Sequence, residues 1–273
     1  VPDALVVLKS LALAAFAGYA GLAGLMWLSQ ESLIFLPQPS LGKSSAPAGW
    51  TLEPVNLAAR DGTRLSGVIV RPPIAERVPL LIFYGGNAEE VTLAAAGAHL
   101  FGPRAFLAVN YRGYGASEGR PSEAALVADA LEVHDWAAKR ADIDPARVAL
   151  HGRSLGSGVA VQVAEARPVK CVVLTSPMDS VRDVARALYP WLPVSALLRH
   201  PFDSIARAPG MRAPALFLMA GDDRVIAPHH SERLAAAWGA PVERVTFAGH
   251  DHNDLELHEG YFKSIAGFLD RCL

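Results

Sequence analysis

Cysteine is scarce in this chain: two among 273 residues, Cys171 in an apolar run and Cys272 beside the C-terminus, with no metal-ligand spacing around either. That argues against a cysteine-held metal and leaves two thiols expected to be free and structural, with a long-range disulfide as the alternative. An excess of charge of either sign is also missing. The 25 Lys and Arg against 27 Asp and Glu give a net charge of -2 with the signs interspersed. No basic stripe exists for nucleic acid to follow, so that class of partner is excluded. Histidine is more plentiful, at nine, yet His229-His230 and His250-x-His252 lack the i, i+4 pairing of a hydrolytic zinc site, so no metal is expected. His99, His134 and His258 are read as solvated helix residues. The length needs no more than one catalytic domain.

Long apolar runs are confined to the N-terminus. Residues 10–28 are uncharged and mostly apolar, and as a helix they reach about 28 Å, close to the thickness of a bilayer's hydrocarbon layer. Residues 1–30 are therefore expected to be a single-pass transmembrane anchor, 31–50 a linker and 51–273 the catalytic domain. Lys9 before the run and Gln30-Glu31 after it place the N-terminus in the cytoplasm and the domain on the other side of the membrane. The competing reading is a cleavable signal peptide, with Ala15-Phe16-Ala17 as the cleavage site. Small-xxx-small pairs among Ala14, Ala17, Gly18, Ala20, Gly21 and Gly24 suit a homodimer formed through this helix.

The most informative residues are Gly152-Arg153-Ser154-Leu155-Gly156, which join a strand-like run (147–150) to a small-residue helical run (155–166). A serine on so sharp a turn needs almost no side chain on either side, which glycine supplies. The plainer reading makes Ser154 a helix N-cap. A serine hydroxyl attacks only when a base takes its proton and a third group holds that base. An apolar run at 214–220 ends in Asp222-Asp223, and one at 242–247 ends in the segment carrying His250 and His252. Ser, Asp and His in that order, each just beyond an apolar run, form the order of a nucleophile-elbow hydrolase triad. Leu155 N–H and Asn87 N–H, the latter on the glycine loop after the run 80–84, are the expected oxyanion donors.

Elsewhere a hairpin (52–58 and 64–71, turning at Asp61-Gly62) precedes alternating strands and helices: 80–84, a helix from about 91, 105–110, helix 122–140, 147–151, the elbow helix and 169–175. The helices 231–238 and 261–269 come last. Such alternation predicts a mostly parallel, doubly wound α/β sheet. Between about 177 and 212 the alternation breaks at repeated prolines. That interval is expected to form a short helical cap whose Trp191, Leu192, Leu197 and Leu198 contact substrate.

The stretch Asn110-Tyr111-Arg112-Gly113-Tyr114-Gly115-Ala116-Ser117-Glu118-Gly119 together with the elbow resembles serine hydrolases of the α/β-hydrolase superfamily. His252-Asn253-Asp254 is similar to the catalytic-histidine motif of the membrane-anchored hydrolase-domain branch, which includes palmitoyl-protein thioesterases and lysophospholipid or monoacylglycerol hydrolases. The resemblance implies an α/β-hydrolase fold, a Ser154-His252-Asp223 triad, no cofactor, and acyl esters or thioesters of lipid-like molecules as substrates met at the membrane. Arg224-Val225-Ile226 aligns with the residues that follow the family's acid, which favours Asp223 over Asp222. The family's His-Gly before the oxyanion residue is Gly85-Gly86 here, so that loop is expected to be more mobile. Ala220 replaces the usual glycine three residues before the acid. Two alternatives stand beside the lipid-ester reading: a serine aminopeptidase-like or small-ester enzyme, and a non-catalytic membrane-tethered scaffold.

Overall fold

In the computed structural model, which describes residues 3–273, the apolar runs become one eight-stranded sheet ordered β1-β2-β4-β3-β5-β6-β7-β8. The hairpin β1 (Thr51–Ala58) and β2 (Arg64–Arg71) is antiparallel, and β2 pairs antiparallel with β4 (Ala105–Val109). β3 (Val78–Tyr84), β4, β5 (Ile143–Arg153), β6 (Cys171–Thr175), β7 (Ala215–Ala220) and β8 (Val242–Phe247) are all parallel to one another. From β3 the chain steps one way to β4, then back past β3 to β5. The crevice at the carboxyl ends of β3 and β5 is therefore the switch point, where such sheets hold their chemistry.

Strand alternation divides the core between the two faces of the sheet. On β3, Leu80, Ile82 and Tyr84 face one apolar cluster, which includes residues of helices α2 (Glu123–Ala138), α3 (Leu155–Ala166) and α7 (Pro228–Ala237). Leu81 and Phe83 face the other, built with α8 (Gly260–Cys272) and a 3₁₀ helix, Val91–Phe101. The helix expected from about residue 91 is thus of the tighter kind, burying Val91, Ala95, Ala98 and Phe101 at near threefold spacing.

Two expectations are corrected. Cys171 and Cys272 are not free thiols but a disulfide, with Cα atoms 6.3 Å apart across a sequence separation of 101. α8 packs back on the sheet and brings its last turn to the start of β6, a return that no local spacing signals. His134 is not solvated: it is 4 % exposed on α2, where burial lowers its affinity for a proton.

α1 spans Ala4–Ile34 and is long and apolar enough to cross a membrane by length and composition. It runs four residues past Gln30. Phe35, 2 % exposed, then packs against His200 and Phe202. Pro39 makes a parallel bridge with Gly115. The first part of the expected linker is therefore docked on the domain.

The cap interval forms α4 (Val181–Leu188), α5 (Val194–Leu197) and α6 (Ser204–Arg207). Ser180 caps α4 by accepting from Asp183 N–H at 2.9 Å, and α4 stops just before Tyr189-Pro190, where proline disfavours helical backbone in the residue before it.

Candidate active site

β5 delivers Ser154 into the switch-point crevice at φ 52° and ψ -119°, a backbone conformation that side chains other than glycine's rarely adopt. The flanking glycines make that turn possible. A Cβ on Gly156 would overlap the carbonyl oxygens of Tyr84 and Gly85, and one on Gly152 would lie 2.5 Å from Gly156 O. The N-terminus of α3 is thus pressed against the end of β3. The turn is fixed by Ser154 N–H donating to Thr175 O at 2.9 Å and by Ser157 Oγ donating to Ser154 O at 2.6 Å. Ser154 makes no side-chain cap bond. The plain N-cap reading therefore fails, and the hydroxyl is used elsewhere.

That use is a hydrogen bond with His252, whose Nε2 lies 2.9 Å from Ser154 Oγ. Nδ1 of His252 is 2.8 Å from Asp223 Oδ2. The other oxygen, Oδ1, accepts from Val225 and Ile226 N–H at 2.9 and 2.7 Å, which fixes the carboxylate's orientation. All three residues are buried, at 6–7 % exposure. A buried carboxylate bonded to one imidazole nitrogen puts that nitrogen's proton on the Asp side and leaves the other free to accept from the serine. Asp222 is exposed, and its N–H donates to His250 O. His250 pairs instead with Asp254, 3.2 Å from its Nδ1.

Asn87 and Leu155 line the same cavity as Ser154. The Gly85-Gly86-Asn87 loop lacks the family's bracing histidine, but other bonds hold it. Tyr111 Oη donates to Gly85 O at 3.0 Å and Tyr114 Oη to Asn87 O at 2.7 Å, while Gly86 N–H donates to Glu89 at 2.8 Å. Burial pushes both phenols well above their ordinary range, so they remain donors. Arg153 ties this loop to the histidine loop, pairing with Glu89 at 3.2 Å and donating to Asn253 Oδ1 at 3.2 Å.

From Ser154 a cavity of about 260 Å³ extends under the cap with no charged side chain in its lining. Leu192, Leu197 and Leu198 line it, together with Val181, Val184 and Leu188 of α4. Trp191 lies outside, 46 % exposed and edge-on to Tyr19 and Tyr189. The sequence reading missed a further wall contributed by the end of α1, at Met26, Trp27, Gln30, Leu33 and Ile34. Among the described residues no group of three or more His, Cys, Asp or Glu side chains comes together to hold a metal.

The sequence profile of the X-Pro dipeptidyl-peptidase (S15 family) matches residues 61–190, a span that includes Ser154 but neither Asp223 nor His252. An uncharacterized protein of Mycobacterium tuberculosis is 38 % identical over 242 residues, covering 86 % of this chain and 84 % of that protein. The alpha/beta hydrolase domain-containing protein WAV2 of Arabidopsis thaliana is 30 % identical over 270 residues, covering 89 % and 88 %. Among solved structures, the acetyl xylan esterase from Paenibacillus sp. R4 superposes with a TM-score of 0.69 over 91 % of this chain and 94 % of that one. Its sequence identity is 20 %, so this likeness speaks for the fold.

Proposed function

Because the chain belongs to the α/β-hydrolase superfamily and is a serine hydrolase-type enzyme, we propose that it cleaves esters or thioesters of apolar, lipid-like acyl groups through an acyl-enzyme. In this reading His252 takes the proton of Ser154 as Oγ attacks the acyl carbonyl, while Asp223 stabilises the imidazolium. Leu155 and Asn87 N–H groups receive the oxyanion, each contributing roughly 3 kcal/mol in the transition state. His252 returns the proton to the leaving group, and water then repeats the sequence on the acyl-enzyme.

The observation that carries the acyl preference is the uncharged cavity reaching from Ser154. A second reading, peptide or small-ester hydrolysis, draws on the S15 profile and the acetyl xylan esterase likeness. An aminopeptidase must hold a substrate ammonium, and a buried cation needs an anionic partner. No carboxylate lines the cavity, which weighs against that form of the second reading.

The experiment is kcat/KM across esters from acetyl to palmitoyl, matching thioesters and aminoacyl amides, with fluorophosphonate labelling of the parent and of Ser154→Ala. Rates that climb with acyl length, and labelling lost in the variant, support the proposal. A maximum at acetyl, or preferred cleavage of amides, refutes the acyl preference; labelling retained in Ser154→Ala refutes the serine's role. Placement of the domain outside the cytoplasm on an α1 anchor is part of the same proposal, and a disulfide suits that oxidising side.

A further inference from the structure

The end of α1 does what a tether has no need to do. Met26, Trp27, Gln30, Leu33 and Ile34 recur at helical spacing on one side of α1, and all five line the cavity that begins at Ser154. Leu25 and Leu28 point the other way, 60 % and 69 % exposed. Gln30 is the one buried residue among those described on α1, and its amide is used at both ends. Nε2 donates to Leu197 O at 3.2 Å and to Trp27 O at 2.8 Å, and Oε1 accepts from Arg199 N–H at 2.7 Å.

Further bonds join helix and cap on either side of Gln30. The Arg199 guanidinium lies 5.1 Å from the centre of the Trp27 ring and 3.3 Å from Glu31. Tyr19 Oη donates to Trp191 O at 3.1 Å. At the other end, Leu36 N–H donates to Asn87 O at 2.9 Å, which places the C-terminal end of α1 beside the oxyanion loop. Met26 lies eight residues before Ile34, about 12 Å along the helix axis. The helix wall therefore begins beside the oxyanion loop and runs that distance along the helix axis to Met26, its most distant lining residue along the chain.

We propose that the stretch of α1 from residue 26 to 34 is a specificity-determining wall of the acyl pocket: Gln30 clamps it to the cap, and Met26 limits the acyl length accepted. This rests on the ester-hydrolase reading above. The test uses the protein with α1 intact, in detergent, and the same ester series. Met26→Trp adds bulk at that end of the wall, so kcat/KM for the longest good substrates falls about tenfold, the equivalent of roughly two methylenes denied burial. Acetyl ester turnover falls far less than long-acyl turnover, so the loss is selective for chain length, and Leu28→Trp is the variant that keeps parent activity and labelling. Gln30→Ala frees the helix from the cap and lowers long-acyl kcat/KM selectively, while Leu28→Trp, on the outward face, leaves the profile unchanged.

A parent profile that rises with acyl length and is unmoved by both Met26→Trp and Gln30→Ala overturns the helix assignment alone. A parent that processes no ester beyond acetyl overturns both this assignment and the acyl-pocket reading. Should Met26→Trp lose even acetyl turnover, Gln30→Ala decides, because it adds no bulk.

Discussion

Gly156 does as much for the site as Ser154, since the overlap that any Cβ there would have with Tyr84 and Gly85 carbonyls shows how closely α3 approaches β3. The choice between neighbouring acids and histidines is also made at this scale. Asp223 is turned inward by two backbone N–H groups, whereas Asp222 is exposed. Asp223→Asn is therefore expected to lower kcat by about 10⁴-fold, by analogy with amide replacement of a triad acid, with Asp222→Asn near the parent. His252→Ala is expected to cost at least about 10⁴-fold in kcat and His250→Ala far less. Steady-state kinetics on one good ester checks both pairs, and a reversed ranking in either would overturn the corresponding assignment. The serine and histidine were legible because each follows an apolar run that becomes a strand. The roles of Tyr111 and Tyr114 were not: their motif was visible, but their partners, Gly85 and Asn87, lie 26 and 27 residues away. Nor does a polar residue after an apolar run signal bonds such as those of Gln30 to Leu197 and Arg199.

Among the elements, β5 carries a buried histidine that the chemistry does not use. His151 is 1 % exposed, with Nε2 3.0 Å from Thr175 Oγ1, whose hydroxyl is in turn 3.0 Å from Tyr261 Oη. Burial, and then the charge of Arg153, holds its pKa down to about 3 from an ordinary 6.5. Between those values the unfolded chain binds a proton that the folded one does not, so stability falls as pH falls through that window and is level above it. At about 1.4 kcal/mol per unit, the loss from pH 6.5 to 4 is at most about 3 kcal/mol. His134 acts in the same direction. Urea midpoints from pH 7 to pH 4 should decline, and His151→Phe should flatten part of that decline; an unaltered slope would count against it. β5 also shows why element boundaries were harder to read than element order. It begins at Ile143, pairing with Val78 before a register shift, and the Asp144-Pro145 pair hides this start by breaking the apolar run.

For the molecule as a whole, a mostly parallel sheet with helices on both faces could be read from the alternation of apolar runs, while the order of its strands could not. The docking of cap onto α1 could not, because it joins residues more than 160 positions apart through backbone carbonyls and N–H groups. Nor could the disulfide, since the pairing depends on where α8 ends in space. Cross-linking a loop of about this length contributes at most roughly 5 kcal/mol by restricting the unfolded chain. Cys272→Ser should accordingly lower the thermal midpoint measured by calorimetry, whereas an unchanged midpoint would mean the pairing carries no stability.

The bond between Cys171 and Cys272 also gives the chain a topology. Everything from 171 to 272 is a closed covalent ring fixed to the sheet at its start, with the acid and the histidine both inside it and the serine outside. The end of α4, where Arg186, Ala187 and Leu188 are exposed, is the part of the ring most open to a protease. A single cut there opens the ring without releasing a fragment, because each new end remains joined through sulfur to the rest. Clipped protein should run as one species on a denaturing gel without reductant and as two with it; two species in both lanes would show that the ring is not closed. Nicked in its cap, the chain would keep Asp223 and His252 attached through the disulfide to the body that carries Ser154.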